Sequence, residues 1–165
     1  MYPQTKTKLQ KLFLILAYSI LILLLDQASK FYVVHILDLS NVLSMEVIPG
    51  FFNFKMAWNE GINFGLFSSG RFSVRMILVI VAMMICLILF LWALRQKNYL
   101  IHLFSAAIIG GAFGNLLDRL IYGAVADFLN VTCCGIQNPY SFNVADISIF
   151  VGAAGIILYP NQSKN

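Results

Sequence analysis

Four apolar stretches separated by polar segments dominate the sequence. The first covers residues 12–25 and resumes at 31–34 after a short polar interruption, and the second, residues 76–94, carries no charge. A helix of about 20 apolar residues is long enough to cross a bilayer. We therefore predict four transmembrane helices, at about 12–36, 75–95, 99–122 and 143–160, the last being short for a span and ended by Pro160.

Lysines in front of the first apolar run are also typical of a secretory signal peptide. No small-residue cleavage site follows this run, and the apolar character continues beyond the polar interruption. We therefore expect a retained helix of membrane-spanning length rather than a cleaved leader.

The segment 38–72 is mixed, and part of it has a period-two pattern. Apolar and polar residues alternate on both sides of Pro49-Gly50, and this arrangement predicts a β-hairpin. One set of alternating positions is rich in aromatic residues, which suit the membrane–water interface. We hypothesise that this face rests on lipid; it comprises Phe52, Phe54, Met56 and Trp58. Residues 123–141, between the third and fourth spans, are expected to form a loop.

Composition agrees with a membrane protein. The chain has 165 residues, of which 60% are hydrophobic and only 11% charged, and its mean hydropathy is +0.82. Soluble domains carry about 25% charged residues. The predicted fold class is an all-α membrane protein: a four-transmembrane-helix bundle with a small extracytoplasmic β-hairpin or sheet, in a single domain at 1–165. The net charge of +4 does not form a basic face, so we expect no nucleic-acid partner.

The distribution of charge predicts the orientation. Lys6, Lys8, Lys11, Arg95, Lys97 and Lys164 fall at one end of the predicted helices, and all seven acidic residues fall at or beyond the other end. Because short cytoplasmic loops are rich in Lys and Arg, both termini are expected in the cytoplasm. Segments 38–72 and 123–142 are then extracytoplasmic.

Metal and disulfide chemistry have little support. Cys86 lies inside an apolar run, and the neighbours Cys133 and Cys134 could bond only through a strained small ring. The two histidines, His35 and His102, belong to no metal-binding motif. We expect neither a metal site nor a cofactor.

Several polar residues lie on the predicted spans, where ionisable groups are costly and usually functional. Asp26 and Lys30 are spaced i,i+4, so they form either a helix-end ion pair or part of a site. A polar stripe on the third span has two interpretations as well. It could crosslink closely packed helices, with Asp118 and Arg119 at the interface, or it could line a site; it comprises Gly111, Asn115, Asp118, Arg119 and Tyr122.

Asp127 and Asp146 are the strongest candidates for catalysis. One follows the third predicted span and the other begins the fourth, so antiparallel packing would bring them together. Two adjacent carboxylates tend to share one proton; the ionised one can deprotonate water while the protonated one polarises a carbonyl. Helix capping is the simpler interpretation of both residues.

The ordered motifs resemble those of the bacterial lipoprotein signal peptidases (signal peptidase II) over about residues 20–155. They are Asp26-Gln27-x-x-Lys30, Asn59-x-Gly61, Gly110-Gly111-Ala112-x-Gly114-Asn115-x-x-Asp118-Arg119, Gly123-x-Val125-x-Asp127-Phe128 and Phe142-Asn143-x-Ala145-Asp146. Each motif is weak alone, but five in this order are specific.

This resemblance implies an inner-membrane aspartic endopeptidase that cuts diacylglyceryl-modified prolipoproteins just before the lipidated cysteine. It also implies inhibition by globomycin-type cyclic peptides. The charge distribution places the site toward the periplasm or outside, and a lipid-modified substrate implies contact with membrane lipid. One chain could hold the whole site, so we expect a monomer, although the sequence leaves the oligomeric state open. The catalytic positions fall on Asp127 and Asp146. The supporting positions fall on Asp26, Lys30, Asn59, Gly111, Asn115, Arg119, Asn143 and Ala145.

Two other functions fit part of the pattern. A small four-helix proton-coupled transporter would use membrane carboxylates, but it would need them near the bilayer midplane rather than clustered toward one surface. A structural subunit would account for the helices and leave the ordered polar motifs unexplained.

Overall fold

A computed structural model describes residues 7–61, 72–132 and 138–159. The chain is mostly helical, and one helix continues into a π-helical segment at Tyr32–Ile36. The helices are α1 (Lys8–Phe31), α2 (Leu39–Val42), α3 (Phe72–Arg95), α4 (Tyr99–Ile121) and α5 (Val144–Leu158). Cys133, Cys134, Lys6 and Lys164, on which some sequence predictions rest, lie outside the described residues.

Three helical segments in the described part of the chain are long and apolar enough to cross a membrane: Lys8–Ile36, Val74–Arg95 and Tyr99–Ile121. Helix α5 is equally apolar in character but has only 15 residues. At a rise of about 1.5 Å per residue it is shorter than the roughly 30 Å hydrocarbon core. The described residues therefore form three helices of spanning length and one shorter apolar helix, as expected of a membrane protein.

Helix α4 is central, because it packs against α1, α3 and α5. Small residues allow this close approach. A Cβ on Gly110 would lie 2.5 Å from the Ser19 carbonyl oxygen of α1, and a Cβ on Gly111 would lie 2.5 Å from the Ala145 carbonyl oxygen of α5. Ser19 Oγ also donates a hydrogen bond of 3.1 Å to the Ala106 carbonyl of α4. The glycine-rich stretch therefore brings the backbones of three helices together.

A three-stranded antiparallel sheet lies beside the bundle, with strand order β1-β2-β3. Strands β1 (Ser44–Ile48) and β2 (Phe52–Asn59) form the predicted hairpin. The expected loop at 123–141 is wrong in part, because Val125–Val131 forms β3 and pairs with β2. Most of β3 is buried, so it lacks the alternation that marks a half-exposed strand.

The proposed lipid-resting aromatic face is also not a single face. The pairing of β2 with β3 has an irregularity between Phe54 and Ala57, which breaks the period-two alternation. Phe54 and Met56 pack against a buried cluster of Val33, Leu39 and Phe128. Trp58 is 42% exposed, and its ring lies 5.5 Å from that of Tyr122. Of the four residues of the proposed face, only Trp58 keeps the exposure that the lipid hypothesis requires.

Candidate active site

Asp127 lies on β3, in the buried part of the strand, and its side chain accepts two hydrogen bonds from amides. Asn143 Nδ2 donates to Asp127 Oδ1 at 2.7 Å, and Asn59 Nδ2 donates to Asp127 Oδ2 at 3.2 Å. Asp127 is only 5% exposed. Burial, and next the charge of Asp146, raise the pKa of Asp127 to about 7. Asp127 caps no helix, so the capping interpretation is wrong for this residue.

Asp146 lies in the first turn of α5, and its contacts fit both the capping and the catalytic interpretation. Its Oδ2 accepts the Asn143 N–H at 3.3 Å, and Asn143 Oδ1 accepts the Asp146 N–H at 2.8 Å, which together form a capping box. Its Oδ1 accepts a further hydrogen bond of 2.9 Å from Asn115 Nδ2 of α4. Asp146 therefore caps α5 and also lies in the polar network around Asp127.

Two asparagines join the two carboxylates. Asn143 Nδ2 contacts Asn115 Oδ1 at 3.1 Å as well as Asp127 Oδ1. Asn143 is fully buried, whereas Asp146 is only partly buried. The network thus connects β3, α4 and the start of α5 through side-chain amides, which can stabilise an ionised carboxylate without neutralising it.

Arg119 extends from the last turn of α4 toward the same group of acids. Its charge interacts with Asp127, Asp118 and Asp146. Its Nη1 donates to the Asn115 carbonyl at 3.3 Å, and its buried Nε has no hydrogen-bond partner among the residues that the structure describes. A cationic donor in this position adds positive charge beside the carboxylates.

A buried ion cluster lies next to the dyad. Lys30 Nζ is 2.8 Å from Asp26 Oδ2 and 2.7 Å from Asp118 Oδ2, and it donates to Asn115 Oδ1 at 3.2 Å. All three charged residues of this cluster are buried. The Asp26–Lys30 ion pair indicated by the i,i+4 spacing is therefore present near the end of α1, but it is buried together with Asp118 rather than separate from the polar network.

Ala145 and Gly111 complete the connection through the backbone. The Ala145 N–H donates to Asp26 Oδ1 at 2.9 Å. Gly111 packs against the carbonyl of Ala145, which leaves no space for a side chain. These contacts fix the start of α5, and therefore Asp146, against α1 and α4.

The structure brings all ten candidate residues from the sequence into one connected region: Asp26, Lys30, Asn59, Gly111, Asn115, Arg119, Asp127, Asn143, Ala145 and Asp146. Two further residues belong to this region. Asp118 is a member of the polar stripe on α4 that the sequence leaves open as structural or site-lining, and Gln27, whose Nε2 donates to Asp118 Oδ1 at 2.9 Å, is only a motif position in the sequence.

The arrangement has the chemistry for acid–base catalysis. It places a carboxyl whose pKa is raised to about 7 beside a second, more accessible carboxyl. Such a pair can activate water and polarise a carbonyl at the same time. Among the described residues, no group of three or more His, Cys, Asp or Glu side chains is arranged to hold a metal ion.

Comparison with known proteins identifies similar chains. The model of a family described as signal peptidase (SPase) II matches residues 18–160. A lipoprotein signal peptidase from Rhodopseudomonas palustris is 39% identical over 143 residues, which cover 84% of this chain and 86% of the relative. One from Pelagibacter ubique is 33% identical over 154 residues, covering 93% and 90%.

A solved structure is similar as well. It is a bacterial membrane enzyme determined by the in meso method, with a TM-score of 0.72 and 25% sequence identity, and the match covers 92% of each chain. The similarity therefore extends over the helices and the sheet together.

Proposed function

This chain belongs to the signal peptidase II family, and from that premise we propose that Asp127 and Asp146 form its catalytic dyad. The family makes the protein a membrane-bound lipoprotein signal peptidase that acts on prolipoproteins. Nothing in the comparisons supports the transporter alternative. The observation that carries the proposal is the Asn143 side chain, which contacts Asp127 and Asp146 together.

The environments of the two carboxyls support a different role for each. Asp127 is buried, and its pKa of about 7 keeps it protonated in part of the molecules near neutral pH, so it is the proton donor. Asp146 is more accessible and accepts hydrogen bonds from Asn115 and the Asn143 N–H, and we assign it the role of general base. Both roles require one proton on the pair, as in other aspartic peptidases.

Hydrolysis then proceeds through a tetrahedral intermediate. Water attacks the scissile carbonyl carbon, its proton passes to Asp146, and the proton of Asp127 passes to the carbonyl oxygen. In the second step Asp146 returns its proton to the leaving nitrogen as the C–N bond breaks. One hydroxyl of the intermediate returns a proton to Asp127, leaving a carboxylic acid and a new amino terminus. The charge of Arg119 lies beside the acids throughout.

The proposed topology is a single domain with four spans, both termini in the cytoplasm and the dyad facing outward in the bacterial inner membrane. The apolar character of α5, the positive charge at one end of the helices and the acids at the other support it. Asp146 lies in the first turn of α5, so in this topology it faces the outer side of the bundle. A lipid-modified cysteine would present its peptide bond on that side.

The proposed substrates are diacylglyceryl-modified prolipoproteins, cut before the lipidated cysteine. Membrane lipid around the exposed apolar helices, a globomycin-type inhibitor in the substrate groove and a monomeric state belong to the same proposal. One chain supplies all ten candidate residues, which supports a monomer.

The test is cleavage by the purified protein in lipid. A prolipoprotein with the diacylglyceryl group and the same precursor without it would be incubated with the protein, and the products weighed by mass spectrometry. Cleavage of the modified precursor alone, directly before the modified cysteine, is expected. An intact modified precursor, or a cut elsewhere, would contradict the proposed substrate and reaction.

A further inference from the structure

The two proposed catalytic aspartates end the same tripeptide. Val125-Ala126-Asp127 lies on β3, and Val144-Ala145-Asp146 begins α5. The two segments differ in secondary structure, but their alanines make the same kind of contact. In each segment, the N–H of the alanine that precedes the aspartate donates to a buried carboxylate on another element.

The two acceptors are different residues on different helices. The Ala126 N–H donates to Asp118 Oδ2 of α4 at 3.1 Å, and the Ala145 N–H donates to Asp26 Oδ1 of α1 at 2.9 Å. Asp26 and Asp118 are both fully buried. Charge-assisted bonds of this type are about twice as strong as neutral ones, so each holds the backbone firmly next to a catalytic residue.

A single ammonium connects the two acceptors. Lys30 Nζ lies 2.8 Å from Asp26 and 2.7 Å from Asp118. Gln27 Nε2 makes a second link, at 3.2 Å to Asp26 Oδ2 and 2.9 Å to Asp118 Oδ1. An unbroken series of polar contacts therefore joins the backbone before Asp127 to the backbone before Asp146.

Stability alone does not account for this cluster. Taking three charged groups out of water is costly, and well-packed apolar residues often stabilise a fold as well or better. The cluster instead contacts the two backbone positions that determine where the dyad side chains begin. Each of its two carboxylates accepts hydrogen bonds from Lys30, from Gln27 and from one alanine N–H.

We propose that Asp118, acting with Lys30 and Asp26, is a positioning residue that sets the separation and orientation of Asp127 and Asp146. Asp118 does not touch the reacting atoms. Through its bond to the Ala126 N–H it positions the backbone before Asp127. Through Lys30 and Asp26 it acts on the Ala145 N–H, and therefore on the backbone before Asp146. The inference rests on the proposed catalytic dyad.

The backbone contacts can be observed without measuring activity. The sequence contains three Val-Ala pairs, at 81–82, 125–126 and 144–145. Labelling valine carbonyls with ¹³C and alanine nitrogens with ¹⁵N would leave three amide signals, from Ala82, Ala126 and Ala145, in a carbonyl-filtered NMR spectrum. Ala82 lies on α3 and is the internal control.

Asp118→Leu removes the acceptor, whereas Asp118→Asn keeps an acceptor oxygen without the charge. In Asp118→Leu the Ala126 signal should move strongly, the Ala145 signal should also move, and Ala82 should stay in place. Asp118→Asn should give a smaller movement of Ala126 in the same direction. An Ala145 signal unchanged in both variants would overturn the proposed coupling through Lys30.

Activity supplies the second measurement. In Asp118→Leu we expect kcat to fall by about 10- to 100-fold with little change in KM, because small displacements of reacting groups reduce rates by that order. Asp118→Asn should recover part of the loss. Ser19→Ala is the matched control, since it removes another buried bond between α1 and α4 away from the alanines.

If Asp118→Leu does not fold, the smaller effects of Asp118→Asn on Ala126 and on kcat decide the question. The kcat losses of the Asp118 variant and of Ser19→Ala would be compared with the loss of Tm in each taken into account. If the Asp118 variant then loses no more kcat than Ser19→Ala, the positioning role is overturned. The dyad itself is tested separately: active Asp127→Asn or Asp146→Asn variants would refute the proposed catalysis whatever the NMR spectra show.

Discussion

Asn143 donates a 2.7 Å hydrogen bond from Nδ2 to Asp127 Oδ1, and its own Oδ1 accepts the backbone N–H of Asp146 at 2.8 Å. One buried side chain thus caps α5 and contacts a carboxyl on β3. The same side chain therefore stabilises the start of α5 and positions the two carboxyls of the dyad.

The two roles of Asn143 can be separated by substitution. Serine can also cap a helix by accepting an N–H, but it is too short to replace the amide donor to Asp127. Asn143→Ser should therefore keep most of the stability and lose about 100-fold in kcat, whereas Asn143→Ala should lose both. Tm and steady-state cleavage would be measured together. Equal activity of Asn143→Ser and wild type would mean that Asn143 is only a cap.

The pH dependence of cleavage follows from Asp127. Because its pKa is raised to about 7 and the mechanism needs it protonated, the rate should fall as pH rises through about 7. The hydrogen bond from Asn59 lowers the pKa of Asp127, so Asn59→Leu should raise that pKa further and move the falling limb to higher pH. Profiles of kcat/KM against pH for both proteins check this. A limb that moves to lower pH would contradict the assignment of Asp127 as the acid.

Removal of the Asp127 carboxyl should stabilise the protein. The pKa of Asp127 rises from an ordinary value of 3.8 to about 7 on folding. Between these values the folded protein keeps a proton that the unfolded chain has released, so stability falls as pH rises through this window. Asp127→Asn has no carboxyl to titrate and therefore avoids this pH-dependent loss of stability. Its Tm should exceed that of wild type by more at pH 8 than at pH 5. Asp38→Asn, at an exposed position, is the control; a gain independent of pH would refute the argument.

A side chain on Gly111 should displace α5. The Cβ of Gly111→Ala would lie 2.5 Å from the Ala145 carbonyl oxygen and 3.0 Å from Ile149 Cγ1. Backbone cannot give way as a side chain can, so we expect a loss of about 1–3 kcal/mol of stability and a large loss of activity, because Asp146 moves with Ala145. Leu120→Ala, at an exposed position of the same helix, should change neither by much. Denaturation and cleavage assays would show the difference, and a fully active Gly111→Ala would contradict the close packing described here.

The sequence predicts the helices and the hairpin because their signals are local. Long uncharged runs are sufficient for α1, α3 and α4, and alternation around Pro49-Gly50 is sufficient for β1 and β2. Strand β3 has no such local signal. It is buried over most of its length and takes its partner, β2, from far away along the chain, so its residues resemble a short apolar loop.

The candidate site is predictable as a set of residues but not as a network. Polar side chains on apolar helices are conspicuous, and this picks out Asp26, Lys30 and Asn115. The contact between Asp118 and the Ala126 N–H involves a backbone amide, which sequence does not distinguish from any other. Likewise, i,i+4 spacing pairs Lys30 with Asp26, but only the tertiary packing of α1 against α4 brings it to Asp118.

The central claim is that Asp127 and Asp146 together carry out hydrolysis, and replacing each carboxyl by an amide of the same shape tests it most directly. Wild type, Asp127→Asn and Asp146→Asn would be incubated in lipid with a diacylglyceryl-modified prolipoprotein, after circular dichroism has established that each is folded. We expect cleavage by wild type and a loss of at least about 1,000-fold in both variants. Near-normal turnover by either folded variant would show that its aspartate has only a structural role and would contradict the dyad mechanism.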